Sequence, residues 1–323
     1  MRLLRIIGLS LLLVALVATL STCTVSAGKA HHYYVTNYGT HCDGVNDDAP
    51  HIQACIDDAV AHGVTYVYFP AGNYYLFSHP SVNPDCGGAV HIPSGIRLRG
   101  EAGTVVYYHD PEGQGHTGFV ASEATDISIE DMVIYGGGTE NGNGSAIKLY
   151  ACDSAQVLGV TVHDFNIGIS LYSCQDSTVS DCVVYNVGMG YTISESNLYF
   201  QQGSNVLVSG CEAYACDHGF SSKGYLASER DYSGPDARAD GKTYSYCYAH
   251  DNEYNFYFRY ASNATLDHCT SEDGRDGPDG NVLLHGVATA LVSYHTYVGT
   301  GGTAPYLQEG GGYGVNTNLT VQP

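Results

Sequence analysis

The most regular feature of the chain is a short tract in which apolar and polar positions alternate, meet a turn residue, and then alternate again. Anchored on one apolar residue, the tract recurs at Ile129, Val157, Val179, Val208, Tyr244, Leu266 and Val292. These anchors stand 28, 22, 29, 36, 22 and 26 residues apart. Unequal intervals around a constant tract predict a common rung interrupted by loops of different length, which is the signature of a solenoid. Two residues after each anchor come Asp131, Gly159, Asp181, Gly210, Tyr246, His268 and Tyr294; the first four are types that tolerate a left-handed turn conformation. The next position holds Met132, Val160, Cys182, Cys211, Cys247, Cys269 and His295, so four consecutive rungs offer Cys at one inward place.

A second strand lies between the anchors of each rung. It reads Ile147-Lys148-Leu149-Tyr150, Ile169-Ser170-Leu171-Tyr172, Tyr191-Thr192-Ile193-Ser194, Phe220-Ser221-Ser222-Lys223, Phe256-Tyr257-Phe258-Arg259 and Val282-Leu283-Leu284-His285. First and third positions are apolar in nearly every case, so the period of two points them inward and sends the second and fourth positions to solvent. Upstream the period changes. Ile52, Cys55, Ile56, Ala59 and Val60 share one face of a helix predicted over 48–62, with Asp47 or Asp48 to cap its start and Gly63 its end. Tyr66 to Phe69 then reads as a strand, broken by Pro70-Ala71-Gly72.

The residues around that helix carry a family resemblance. Tyr38-Gly39, Asp43-Gly44, Asp47-Asp48, Ile52, Ile56, Phe69-Pro70-Ala71-Gly72 and Tyr74 resemble the N-terminal motif of the pectate-lyase superfamily, shared with phage tailspikes and polygalacturonase-like proteins. His91-Ile-Pro-Ser-Gly-Ile-Arg-Leu-Arg-Gly-Glu101 resembles the next strand and turn of that family. Asn37, Thr40 and Ala49 depart from its commonest residues. The resemblance implies an all-β fold, a single-stranded right-handed parallel β-helix over 28–323, with the 48–62 helix plugging its N-terminal end. It also implies that the sheet of the second strand floors a substrate cleft. It is poor for reaction, since the family holds lyases, hydrolases, epimerases and non-catalytic members.

Charge narrows the partners. Lys and Arg total 12 against 33 Asp and Glu, a formal charge of -21, so a phosphate-neutralising basic surface is excluded and nucleic acid with it. The same acidity attracts divalent cations and repels anionic polymers unless a local basic strip or a bound metal reverses the field. At the N-terminus, Arg2 and Arg5 precede an apolar run from Ile6 to Leu20 and a small-residue site ending at Ala27. This predicts an export signal over 1–27, a secreted or cell-envelope protein, and no stable membrane span once the signal is removed. Leu20-Ser21-Thr22-Cys23 resembles a lipobox, but Thr22 departs from it, so lipid anchoring at Cys23 is the alternative. Of eleven Cys, ten remain after Cys23. Those on adjacent rungs read as a stack of buried thiols, with disulfides between rungs as the other reading.

Candidate chemistry lies in the fourth column of the second strand: Tyr150, Tyr172, Ser194, Lys223, Arg259 and His285 on successive rungs. In a chain so poor in cations, Lys223 and Arg259 on adjacent rungs, next to His285, stand about 5 Å apart. Cleavage of a uronate polymer by β-elimination needs the sugar carboxylate neutralised, a base for the C5 proton, and help for the leaving oxygen. Arg259 suits the first role, Lys223 the second, and His285 or a Tyr the third. Tyr150, Tyr172 and Tyr257 offer rings to sugars, and Asp217 with His218 precedes Lys223 as further binding groups. Carboxylates at Asp251, Glu253, Asp273, Asp276 and Asp279 flank the column, which leaves Ca2+ as a cofactor to consider. Asp217-His218-Gly219 resembles a polygalacturonase motif faintly, but the paired aspartates and Arg-Ile-Lys element of that family are missing. The expectation is therefore an extracellular polysaccharide lyase or epimerase. Against it stand a non-catalytic carbohydrate-binding or envelope β-helix and a glycoside hydrolase with two carboxylic acids. The long excursion at 224–241 is expected to wall the cleft.

Overall fold

A computed structural model describes residues 33–77, 87–109, 117–137, 144–195, 203–224, 239–272, 274, 281–285, 287, 290–298, 306–309 and 319–322. The predicted export segment, Asp273, Asp276 and Asp279 lie outside them, as does most of the 224–241 excursion. Among the described residues the chain forms three long parallel sheets of 11, 10 and 9 strands, in each of which successive strands come from successive rungs. The chain is a parallel β-helix. We call the sheet of the anchor residues sheet A, the next in each rung sheet B, and the sheet of the second strand sheet C.

The anchors fall in one register. Ile129 pairs with Val157, which pairs with Val179, and the row continues through Val208, Tyr244 and Leu266 to Val292. Each anchor is buried, as are Leu98 and Val67 one and two rungs before. In sheet C the first and third positions behave in the same way, from Ile147 and Leu149 through Tyr191 and Ile193 to Val282 and Leu284. Inside the coil, Tyr191, Phe220 and Phe256 stack with centroids 4.7 Å and 5.0 Å apart, the separation that neighbouring strands impose.

The turn from sheet A to sheet B is the most uniform part of the molecule. It has two residues in seven successive rungs, from Asp131-Met132 to Tyr294-His295. The first adopts a left-handed backbone in all seven, with φ between 51° and 63°. The residue type favoured that conformation only in the first four. Tyr246, His268 and Tyr294 adopt it because the rungs on either side fix the path of the chain, at about 1 kcal/mol of local strain. Their rings stack outside the coil, Tyr246 on His268 at 5.0 Å and His268 on Tyr294 at 4.6 Å, which offsets part of that strain. The second residue points inward. Cys182, Cys211, Cys247 and Cys269 there are buried thiols, and the last two donate to the carbonyls of Ser245 and Asp267 at 3.4 Å. Cys152 and Cys174 are buried thiols as well, so stacking, not cross-linking, describes both ladders. Cys42 alone among the described cysteines is disulfide-bonded, with its partner outside the described residues.

The capping helix runs Ala49–Ala61 and buries Ile52, Cys55, Ile56 and Ala59 against the first rung. Its start is capped by Asp47, whose carboxylate accepts from the Ala49 and Phe77 amides at 3.2 and 3.0 Å. Asp48 occupies the cap position without capping the helix. Its fully buried carboxylate ties the preceding loop to the second rung, accepting from the His41 amide at 2.6 Å and the Tyr75 amide at 3.2 Å. Among the described residues no helix is long and apolar enough to cross a membrane.

Candidate active site

The outer face of sheet C forms a recess of about 270 Å³ lined by Tyr172, Met189, Thr192, Ser194, His218, Ser221, Lys223, Tyr257 and Arg259. Six of the residues singled out in the sequence, Tyr172, Ser194, His218, Lys223, Tyr257 and Arg259, thus meet in one place. Strand pairing explains the meeting: Lys223 is opposite Arg259 in register, and Ser221 is opposite Tyr257. Each strand contributes a side chain to the same face at every second position.

The face is less open than strict alternation implies. Thr192, Ser194 and Ser221 point outward yet are 5%, 1% and 4% exposed. Short side chains end near the sheet plane, and the longer Tyr, Lys and Arg on neighbouring rungs close over them. They form a hydroxyl floor: Ser221 donates to the Tyr191 carbonyl at 3.1 Å, and Ser194 accepts from the Lys223 amide at 3.0 Å. The sequence pattern placed Ser194 in the candidate column but singled out neither Thr192 and Ser221 of the floor nor Met189.

The rim is aromatic and cationic. His218 stacks on Tyr257 with centroids 4.7 Å apart and rings 12° from parallel, and meets the edge of Tyr254 at 5.3 Å. Burial holds its imidazole below the usual histidine range, against the pull of Asp217, so it is neutral at pH 7. The Arg259 guanidinium lies 5.0 Å from the Tyr260 ring centre. A half-buried Lys and Arg side by side make a local positive field in a strongly acidic chain.

Three of the candidate residues do not join this cluster. Tyr150 is in no position to offer its ring to a sugar: it is 8% exposed, packed on Val120 and stacked on Tyr172 at 5.2 Å. Asp217 is exposed and does not line the recess: it precedes the strand, whose first residue, His218, stacks on Tyr257 at the outer face. His285 pairs with Arg259 on the next rung, which places its backbone in the column, while its side chain lies outside the described residues. Asp251 pairs with His250 at 2.8 Å, away from the recess lining. Among the described residues no group of three or more His, Cys, Asp or Glu is arranged to hold a metal ion.

A parallel β-helix with a cationic, aromatic recess on one sheet defines a class of protein, and comparison with known proteins places the chain within it. A family model described as rhamnogalacturonase A/epimerase, pectate lyase-like, matches residues 33–230, and one described as right-handed β-helix region matches 145–320. The chain belongs to this pectate lyase-like family of right-handed β-helix proteins. Mannuronan C5-epimerase AlgE4 of Azotobacter vinelandii is 35% identical over 111 residues, 32% of this chain and 19% of that protein. AlgE1 of the same organism is 35% identical over 106 residues, 31% of this chain and 7% of that protein, so the match spans a small part of these relatives. Among solved structures, tailspike gp49 of Acinetobacter baumannii bacteriophage Fri1, a capsular polysaccharide depolymerase, aligns at TM-score 0.61 and 13% identity, over 90% of this chain and 58% of that one. The GH87 α-1,3-glucanase of Streptomyces thermodiastaticus aligns at TM-score 0.59 and 15% identity, over 85% and 48%. At such identities these structures establish the fold.

Proposed function

We propose that this protein is an exported enzyme that removes the C5 proton of a uronate residue in a polysaccharide, as a lyase or a C5-epimerase. The observation that carries this reading is the pairing of Lys223 and Arg259 on adjacent strands in one recess with Tyr257 and His218. A uronate carboxylate placed against Arg259 loses its repulsive charge, and the C5 proton beside it becomes more acidic. Lys223, in its neutral form, takes that proton. Tyr257 then supplies a proton, either to the leaving glycosidic oxygen, which gives an unsaturated sugar, or to the opposite face of C5, which inverts it. His218 is stacked on Tyr257 and, being neutral, hydrogen-bonds a sugar hydroxyl without adding charge. Hydrolysis is disfavoured because no carboxylate is found among the described residues lining the recess, whereas that chemistry uses two. The mannuronan C5-epimerase relatives support the same choice of chemistry.

The test incubates the protein with alginate, polymannuronate, pectate and a glycosaminoglycan in D2O, with and without Ca2+. Both proposed reactions expose C5 to solvent, so deuterium enters at C5 or an ultraviolet-absorbing unsaturated product appears. New reducing ends without either signal, or binding with no change in any polymer, overturn the reading.

A further inference from the structure

At one end of the recess, in the corner from sheet C to sheet A, lies a buried ion pair that proton abstraction does not use. Glu195 follows Ser194 in the chain and is 0% exposed; Lys242, at the start of a sheet A strand, is 1% exposed. The Lys242 Nζ stands 3.3 Å from Glu195 Oε1 and donates to the Gly203 carbonyl at 2.9 Å. Glu195 Oε2 accepts from the Gly203 amide at 2.8 Å and from Ser173 Oγ at 3.1 Å. Through its own backbone, Glu195 donates to the Lys223 carbonyl at 2.9 Å, and Ser173 donates to the Ser194 carbonyl at 2.8 Å. The pair is thus one peptide unit from Ser194, one hydrogen bond from Lys223, and a hydrogen bond plus a peptide unit from Tyr172, all three of them recess residues.

A second observation shows how tightly this corner is built. A Cβ on Gly203 would stand 2.2 Å from the Cys174 carbonyl oxygen, so the chain returns from the 196–202 excursion in contact with the Ser173-Cys174 backbone. Glu195 and Gly203 are the residues on either side of that excursion, and the ion pair ties them together. Taking two charges out of water is expensive, and apolar residues of similar shape are often as good for stability or better. What this pair gains is geometry: two side chains fix three groups, the Gly203 amide, the Gly203 carbonyl and the Ser173 hydroxyl, at one end of the recess.

We propose that Glu195 and Lys242 are positioning residues for the recess, holding Tyr172, Ser194 and Lys223 in place and clasping the two ends of the 196–202 excursion. The catalytic consequence rests on the proton-abstraction reading; the structural one does not. The test compares wild type with Glu195→Gln, which keeps the shape and removes the charge, and with Glu195→Gln/Lys242→Met, which removes both charges at similar side-chain volume and leaves no unpaired buried ion. Amide hydrogen exchange at Ser173, Glu195, Gly203 and Lys223 is expected to quicken at least tenfold in Glu195→Gln, with Leu98 and Ile129 unchanged. On whichever polymer the wild type transforms, kcat is expected to fall at least tenfold in both variants, even where the double variant recovers wild-type thermal stability. Unchanged exchange at those four amides overturns the proposal, as does a double variant that regains wild-type stability and rate together. If no polymer is transformed by the wild type, the functional reading fails and exchange alone decides the positioning claim.

Discussion

At the scale of single residues, the decisive arrangement is two cations on a protein that has few. Lys223 and Arg259 emerge from paired positions of adjacent strands, and both side chains point away from the core. Replacing either by Ala removes a charge without opening a cavity. Lys223→Ala and Arg259→Ala are each expected to lower the rate of C5 exchange by about a hundredfold or more, with an unchanged β-rich circular dichroism spectrum. A rate within threefold of wild type in both would detach them from the chemistry. This column was legible in the sequence because period two is a geometric rule that needs no tertiary information. Asp217 and Tyr150 were misplaced for the opposite reason: the first lies just before the strand, where period two does not run, and the second depends on packing from neighbouring rungs. A different residue governs acid sensitivity. Burial lowers His295 to about 4, well under the usual histidine value of 6.5, while its Nε2 lies 2.9 Å from Ser271 Oγ. The unfolded chain takes up the proton near 6.5 and the folded one only near 4, so this contribution is complete above 6.5 and is lost as pH falls toward 4. Its size is on the order of 3 kcal/mol. Urea unfolding between those limits is expected to show a steeper loss of stability in wild type than in His295→Gln, and equal slopes would contradict the assignment.

At the scale of elements, the rung is held by ladders. Aromatic rings stack inside sheet C, and His163, Tyr185, Tyr214 and His250 stack outside sheet B at 4.7, 4.8 and 5.0 Å. Thiols line the turn between sheets A and B. Burial pushes Cys174 and Cys247 well above the ordinary thiol range, so these groups stay protonated and unreactive while the coil is intact. Iodoacetamide at pH 8 is therefore expected to leave the eight buried thiols unmodified in native protein and to alkylate all of them in denaturant without a reductant. If a reductant is needed to expose Cys182, Cys211, Cys247 or Cys269, the ladder is cross-linked instead. Their inward placement was readable from one recurring offset after the anchor. The left-handed backbone at Tyr246, His268 and Tyr294 was not, because there the neighbouring rungs override residue preference. The buried pair of Glu195 and Lys242 was invisible for a similar reason: 47 positions of sequence collapse into one contact only when the rungs are stacked.

At the scale of the whole molecule, the fold was the most legible property, since the cap motif and the rung repeat both specify it and neither depends on loop shape. Loop shape is where legibility ends, and the reason is written in the three corners of the coil. The corner from A to B stays at two residues over seven rungs. The corner from B to C stays at three residues in the four rungs that build the recess, 164–166, 186–188, 215–217 and 251–253. In these same four rungs the freedom is in the corner from C to A, which lengthens to 195–205 after Ser194 and to 224–241 after Lys223. The molecule therefore separates what must be constant from what is allowed to vary. In the recess rungs the insertions lengthen along a single edge, while the strands that carry the floor and the cations keep one pairing register. Around the recess the coil behaves as a ruler with movable tabs on one side: its graduations are fixed by backbone pairing, and only the tabs differ in length from one rung to the next.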